Sequence, residues 1–155
     1  MVEVKADGAV QPRLMATELG DDVAFLLARV SARTSALGGR SIAPYDLNVR
    51  SYSLLALACS GESPTQRECA DFLSLDPSRV VSLVDDLEKR GLVRRAPSGF
   101  DRRTKTIEPT PEGKRVFALA RAATRAAEDL ALGHLTSAER DRLLGDLRTA
   151  AAFQE

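Results

Sequence analysis

Residues 65–91 constrain the fold most, because two helix starts stand there too close together for anything but a tight helical pair. Thr65-Gln66-Arg67-Glu68 has the form of a capping box: the Thr65 hydroxyl accepts from the Glu68 amide, and the Glu68 carboxylate reaches back to the Thr65 amide. After Ala70 and Leu73 the chain reads Ser74-Leu75-Asp76-Pro77, in which Asp76 suits an N-cap and Pro77 the first helical position. The first helix is therefore short, and the second follows after about three residues, the spacing of a helix-turn-helix. Val80, Leu83, Val84 and Leu87 recur at i, i+3, i+4 and i+7 along the second helix, which Gly91 ends. Its opposite face carries Ser78, Arg79, Ser82, Asp85, Asp86 and Lys89.

Two short segments with β-branched residues follow, Leu92 to Ala96 and Thr104 to Glu108, and the run Pro97 to Arg103 separates them. They predict a β-hairpin with a basic tip. Thr110-Pro111-Glu112-Gly113 opens another helix by the same N-cap and proline logic, with Val116, Leu119, Ala120, Ala123, Ala127 and Leu130 as its apolar stripe. Thr136-Ser137-Ala138-Glu139 is a second capping box, and the final helix offers Leu143, Leu144, Leu147 and Ala151.

Upstream, residues 1–18 lack periodicity and are expected to form a loose arm. From Leu19 a helical pattern sets in, with Val23, Leu26, Leu27 and Val30 on one side, and is expected to stop at Gly38-Gly39. A second helix is predicted from beyond Pro44 to about Cys59, with Val49, Tyr52, Ala56 and Cys59 on one side and Leu54 and Leu55 near the other; with both sides apolar, it should be central. Gly61-Glu62-Ser63-Pro64 breaks the chain.

The resulting fold class is mainly α, a winged helix-turn-helix with a two-stranded hairpin wing and helices at both ends. The regions read as an arm (1–18), a helical dimerisation and linking part (19–62), the winged helix-turn-helix (63–110) and C-terminal dimerisation helices (111–155). The lobe 65–110 is too small to cover the apolar stripes of the first and last helices, so a homodimer is expected.

The 155 residues, 44% apolar and 28% charged, suit one folded unit. The longest near-continuous apolar stretch, Leu54 to Cys59, is far too short to cross a bilayer, and Met1 to Gly20 has no signal-like apolar run. A cytoplasmic chain without a membrane partner is expected. Cys59 and Cys69 have no second thiol pair or histidine at metal-ligand spacing, so no metal site follows and both read as small apolar core residues. The single histidine, His134, has no acidic or thiol partner nearby in sequence, and no nucleophile motif, phosphate loop or carboxylate pair stands out. Neither enzyme activity nor a cofactor is expected.

Net charge is formally zero, yet Lys89, Arg90, Arg94, Arg95, Arg102, Arg103 and Lys105 stand against Asp101 alone between positions 89 and 105, a local 7 − 1 = +6. Cations concentrated around a helix-turn-helix point to double-stranded DNA. A helix in the major groove presents short polar or cationic side chains to base edges, which Ser78, Arg79 and Ser82 supply; Thr65, Gln66, Arg67, Arg95 and Lys105 are further candidates. Arg102 and Arg103 suit the electronegative minor groove.

The order Leu75-Asp76-Pro77-Ser78, Leu83-Val84-Asp85-Asp86-Leu87-Glu88-Lys89-Arg90-Gly91-Leu92-Val93, Asp101-Arg102-Arg103 and Thr110-Pro111-Glu112-Gly113 resembles the MarR family of bacterial regulators, from about Val23 onward. The resemblance implies a homodimer with interlocked terminal helices and two winged lobes on a near-palindromic site. It implies that Asp101 orients Arg103 into the minor groove. The family often places small hydroxyl residues and a later arginine in the recognition helix, where this chain has Arg79, Val81 and Ser82, so its base preference departs from the pattern. A small aromatic or phenolic effector that releases DNA is implied too, with Arg29, Arg33, Tyr45, Asn48, Arg50 and Tyr52 as candidate walls. The competing regulation is thiol oxidation at Cys59 or Cys69.

Overall fold

The computed structural model describes residues 12–98 and 104–152. A helical turn, α1 (Pro12–Met15), and a 3-10 turn (Glu18–Asp21) occupy part of the expected loose arm. They lead into α2 (Val23–Ile42), whose N-cap Asp22 accepts from the Phe25 amide at 2.8 Å. The helix runs through Gly38-Gly39, where the sequence predicted a stop. Neither glycine takes a positive φ, and continuing buries Ile42; Pro44 then ends the helix in a 3-10 turn (Ala43–Tyr45).

Asn48 caps α3 (Val49–Ala58), its Oδ1 accepting from the amides of Arg50 and Ser51. The buried face of α3 is Ser51, Leu54, Leu55 and Ala58, whereas the predicted stripe through Val49 lies on the more open side. The helix is central through Leu54 and Leu55. The capping box at Thr65 opens α4 (Gln66–Leu73) as predicted, and Ser74 turns the chain with a left-handed φ of 51° before Asp76 and Pro77 start α5 (Pro77–Lys89). Val80, Val84 and Leu87 of α5 are fully buried. Because each such side chain gains about 1.5–3 kcal/mol on burial, this stripe fixes the rotation of α5 and forces Ser78, Arg79 and Ser82 outward.

Strands β1 (Val93–Pro97) and β2 (Lys105–Pro109) pair antiparallel from Val93 opposite Pro109 to Pro97 opposite Lys105, each one residue later than predicted. On its other edge β2 is held by the segment before α4: Thr65 bridges Thr106, and the Ile107 amide donates to the Pro64 carbonyl at 2.8 Å. The wing and the start of α4 therefore share one small sheet edge. Thr110 then caps the long helix α6 (Pro111–Ala131), which packs chiefly on α2, and α7 (Ser137–Ala152) follows.

The core gathers Ile42, Leu54, Leu55, Cys69, Val80, Val84, Leu87, Val93 and Ile107, so helices α3 to α5 and the hairpin close around one apolar centre. The terminal helices differ. Val23, Leu27 and Val30 of α2, Leu119 and Leu130 of α6 and Leu144 and Leu147 of α7 are exposed, and α7 buries no residue in the protomer. Among the described residues no helix is long and apolar enough to cross a membrane.

Candidate nucleic-acid interface and effector cavities

The first turn of α5 is rigid because its cap is doubly held. Asp76 accepts from the Ser78 amide at 2.8 Å and from the Ser78 hydroxyl at 2.5 Å. Those two hydrogen bonds hold the Asp76 carboxyl below its ordinary range. Ser82 donates to the Ser78 carbonyl at 3.1 Å. Arg79, next to Ser78 in the same turn, is exposed.

At α4, Thr65 and Glu68 satisfy one another, with the Thr65 amide donating to the Glu68 carboxylate at 2.7 Å and the Glu68 amide donating to the Thr65 hydroxyl at 3.2 Å. The backbone bond to Thr65 and then its hydroxyl lower the Glu68 pKa. Arg67 is exposed and stands 3.9 Å from Asp71, a loose surface pair. Lys105 is exposed at the start of β2. Asp101, Arg102 and Arg103 lie outside the described residues.

Much of the basic run is already engaged within the protomer. Arg94 pairs across the hairpin with Glu108 at 2.7 Å. The Arg90 guanidinium donates to the Tyr45 carbonyl and to Asp86, both at 3.2 Å, with Asp46 at 3.6 Å. Arg95, a candidate DNA contact by sequence, is the most enclosed of the three, its side chain 18% exposed. It donates to Asp85 at 2.6 Å, to Gln66 at 3.2 Å and to Glu88. Burial opposes its charge, but the bonds to Asp85 and Glu88 outweigh that and raise its pKa. Gln66, another candidate, spends its carbonyl oxygen on Arg95. By sequence Asp85 is placed on the outward face of α5 and neither it nor Glu88 has a role; their i, i+3 spacing on α5, opposite an arginine seven residues past Glu88, is the signal that points to the cluster.

The residues proposed as effector walls do not converge on one cavity. Arg29 and Arg33 line an open groove of about 550 Å³ between α2 and the α6–α7 junction, with Leu26, Leu135, His134 and Arg142. Tyr52 lines a separate cavity of about 220 Å³ on the α3 side of α2, with Ser35, Ile42, Ser53 and Thr124. Thr34 borders both, so a single helix separates the two spaces. Tyr52 also packs against Phe117, ring centroids 5.8 Å apart. Tyr45 and Asn48 line neither cavity; Asn48 is committed to capping α3 and Tyr45 packs against the core.

Comparison with known proteins decides the family. Residues 45–104 match the MarR family description. The structure superposes with a TM-score of 0.80 on a MarR-family transcriptional regulator from Rhodococcus sp. RHA1, at 38% identity over 86% of this chain and 96% of that one. The chain belongs to the MarR family. CouR from Rhodococcus jostii RHA1, solved with p-coumaroyl-CoA, gives the same score and identity over 88% of this chain and 98% of that one. CouR on a 23-mer DNA duplex gives a TM-score of 0.78 at 30% identity, covering 88% of this chain and 96% of that one. A curated relative, the putative transcriptional regulatory protein for the hcr operon of Thauera aromatica, is 32% identical over 98 residues, 63% of this chain; the match spans 58% of that relative's length.

The thiols of this MarR-family chain are poorly placed for oxidation. Cys69 is fully buried, and burial, with the neighbouring Glu68 charge, pushes its pKa up to about 11. Burial raises Cys59 as well, with Lys114 opposing weakly. Oxidants attack thiolates, so both sites are suppressed in the form that reacts.

Proposed function

We propose that this protein is a homodimeric transcription regulator that docks α5 in the major groove of a pseudo-palindromic operator and its wing in the adjacent minor groove. The observation that carries the reading is the exposed, doubly capped first turn of α5, with Ser78, Arg79 and Ser82 on one face and a fully buried stripe on the other. Such a helix offers base edges short, pre-oriented polar groups. Following the family resemblance, Asp101 and Arg103 serve the minor groove. The exposed leucines of α6 and α7 and the open side of α2 supply the dimer surface.

The effector, in this reading, is an aromatic acyl-CoA thioester. CouR was solved with p-coumaroyl-CoA, and the arginine-bordered groove beside an apolar, hydroxyl-dotted cavity suits a ligand with a phosphate-bearing end and an aromatic end. Release from DNA requires that the ligand bind the DNA-incompetent arrangement of the lobes more tightly than the competent one.

The test is operator binding by fluorescence anisotropy, using the DNA upstream of the protein's own gene. Arg79→Ala should weaken binding by about 1–3 kcal/mol, as expected for a lost base contact, while leaving the melting temperature unchanged. Adding p-coumaroyl-CoA should release the DNA, whereas p-coumarate should act only at far higher concentration. Equal binding by Arg79→Ala would remove α5 from the interface; equal potency of the free acid would remove the thioester.

A further inference from the structure

Arg95 sits where three elements meet. It belongs to β1, Asp85 and Glu88 belong to α5, and Gln66 opens α4, so one guanidinium fastens the wing to both helices of the helix-turn-helix. Glu88 uses both its oxygens: one accepts from the Arg95 amide at 3.1 Å, and the other accepts from the Arg95 guanidinium. Backbone and side chain of one wing residue are thus clamped to one carboxylate. A planar fork with several donors can satisfy this set of acceptors, whereas a lysine ammonium on a flexible stem cannot.

The two carboxylates are otherwise in an unfavourable place. They lie on the helix that carries Arg79 and Ser82, on a surface read here as meeting a polyanion. Coulomb's law alone says that removing either should tighten DNA binding. Their position there makes sense if their work is done through Arg95.

We propose that Arg95 is a positioning residue, not a phosphate contact, and that Asp85 and Glu88 strengthen DNA binding, despite their charge, by seating the wing on α5 through it. The inference rests on the reading of α5 and the wing as the DNA-binding surface, and it concerns how that surface is assembled. Glu88→Gln is the decisive variant because it is isosteric, yet its amide NH2 must face one of the two Arg95 donors that now meet oxygens.

The experiment has a DNA-free arm and a DNA arm. By amide hydrogen exchange on the full-length protein without DNA, Glu88→Gln should speed exchange across residues 93–97 while leaving α3 protection intact; unchanged wing exchange overturns the proposal whether or not the protein binds DNA. In operator titrations Glu88→Gln should weaken binding about tenfold, the scale of one lost specific contact. Binding that is unchanged or tighter, as charge removal alone predicts, overturns the proposal. Arg95→Lys should recover only part of the affinity lost in Arg95→Met. In the Arg95→Met background Glu88→Gln should no longer weaken binding, since its effect runs through Arg95; additive losses overturn that route. Wild-type protein that binds no operator, with wing exchange still coupled to Glu88, would remove the DNA reading and leave the clamp.

Discussion

Gly113→Ala should destabilise the protein by about 3 kcal/mol, although alanine is the better helix former by about 1 kcal/mol. The reason is the junction where α6 begins. A Cβ on Gly113 would lie 1.9 Å from the Leu92 carbonyl oxygen and 2.8 Å from its carbon, both backbone atoms that no rotamer change can move. Relief to an ordinary carbon–oxygen separation near 3.3 Å needs a shift of about 1.4 Å. That shift pulls on the bonds that seat the α6 cap on the turn before β1: the Thr110 amide donates to the Leu92 carbonyl at 3.0 Å, the Thr110 hydroxyl donates to the Gly91 carbonyl at 2.6 Å, and it accepts from the Gly113 amide at 2.9 Å. Each bond contributes about 1 kcal/mol net, and overpacking against backbone adds about 1–3 kcal/mol. The clash therefore outweighs the propensity gain. Gly39→Ala is the control, since nothing lies within 4 Å of its Cβ position, and should gain about 0.5–1 kcal/mol. Urea unfolding at one fixed protein concentration, with unchanged m-values, measures both. A Gly113→Ala protein as stable as the parent would refute the account of how α6 is seated.

Three further outcomes follow from the caps, the thiols and the open helices. The Glu68, Asp76 and Glu139 carboxyls all titrate below their ordinary values because they accept bonds at helix starts. Their contribution is complete above the unfolded carboxylate range near pH 4 and fades as pH falls through the lower folded values. The urea midpoint should accordingly drop below about pH 4, and Glu68→Gln should lower it at pH 7 while flattening its acid limb; an unchanged limb would remove that cap from the balance. Burial pushes the Cys69 pKa up to about 11 and raises that of Cys59 as well, so both thiols are held away from the reactive thiolate and peroxide should not release operator DNA. Release that disappears in Cys59→Ser would restore the thiol switch. Finally, Leu144→Asp with Leu147→Asp should convert a dimer to monomers at micromolar concentration in sedimentation velocity, because both leucines are exposed on a helix that buries nothing in its own protomer. A double variant that stays dimeric would place the interface elsewhere.

What the sequence disclosed and what it hid divide by the distance between interacting groups. Caps act within four residues, and those at Thr65, Asp76, Thr110 and Thr136 are where the sequence predicts them. Helix rotation is legible where one stripe dominates, as in α5, and stays open in α3, where both sides are apolar and only packing chooses. The candidate DNA surface was harder still. A run of cations records how much charge a segment holds but not which way it points. Arg94 is claimed by Glu108, fourteen residues on, and Arg90 by the Tyr45 carbonyl, forty-five residues back. No window along the chain contains such partners. The consequence is physical: a guanidinium already fastened to a carboxylate releases no counterion when DNA arrives, so the run overstates the salt dependence of binding. Among the described residues of α4, α5 and β2 the exposed Arg67, Arg79, Lys89 and Lys105 are not fastened by a close carboxylate bond, Arg67 having only its loose contact with Asp71, and on the proposed docking these, with Arg102 and Arg103, set the slope of affinity against salt.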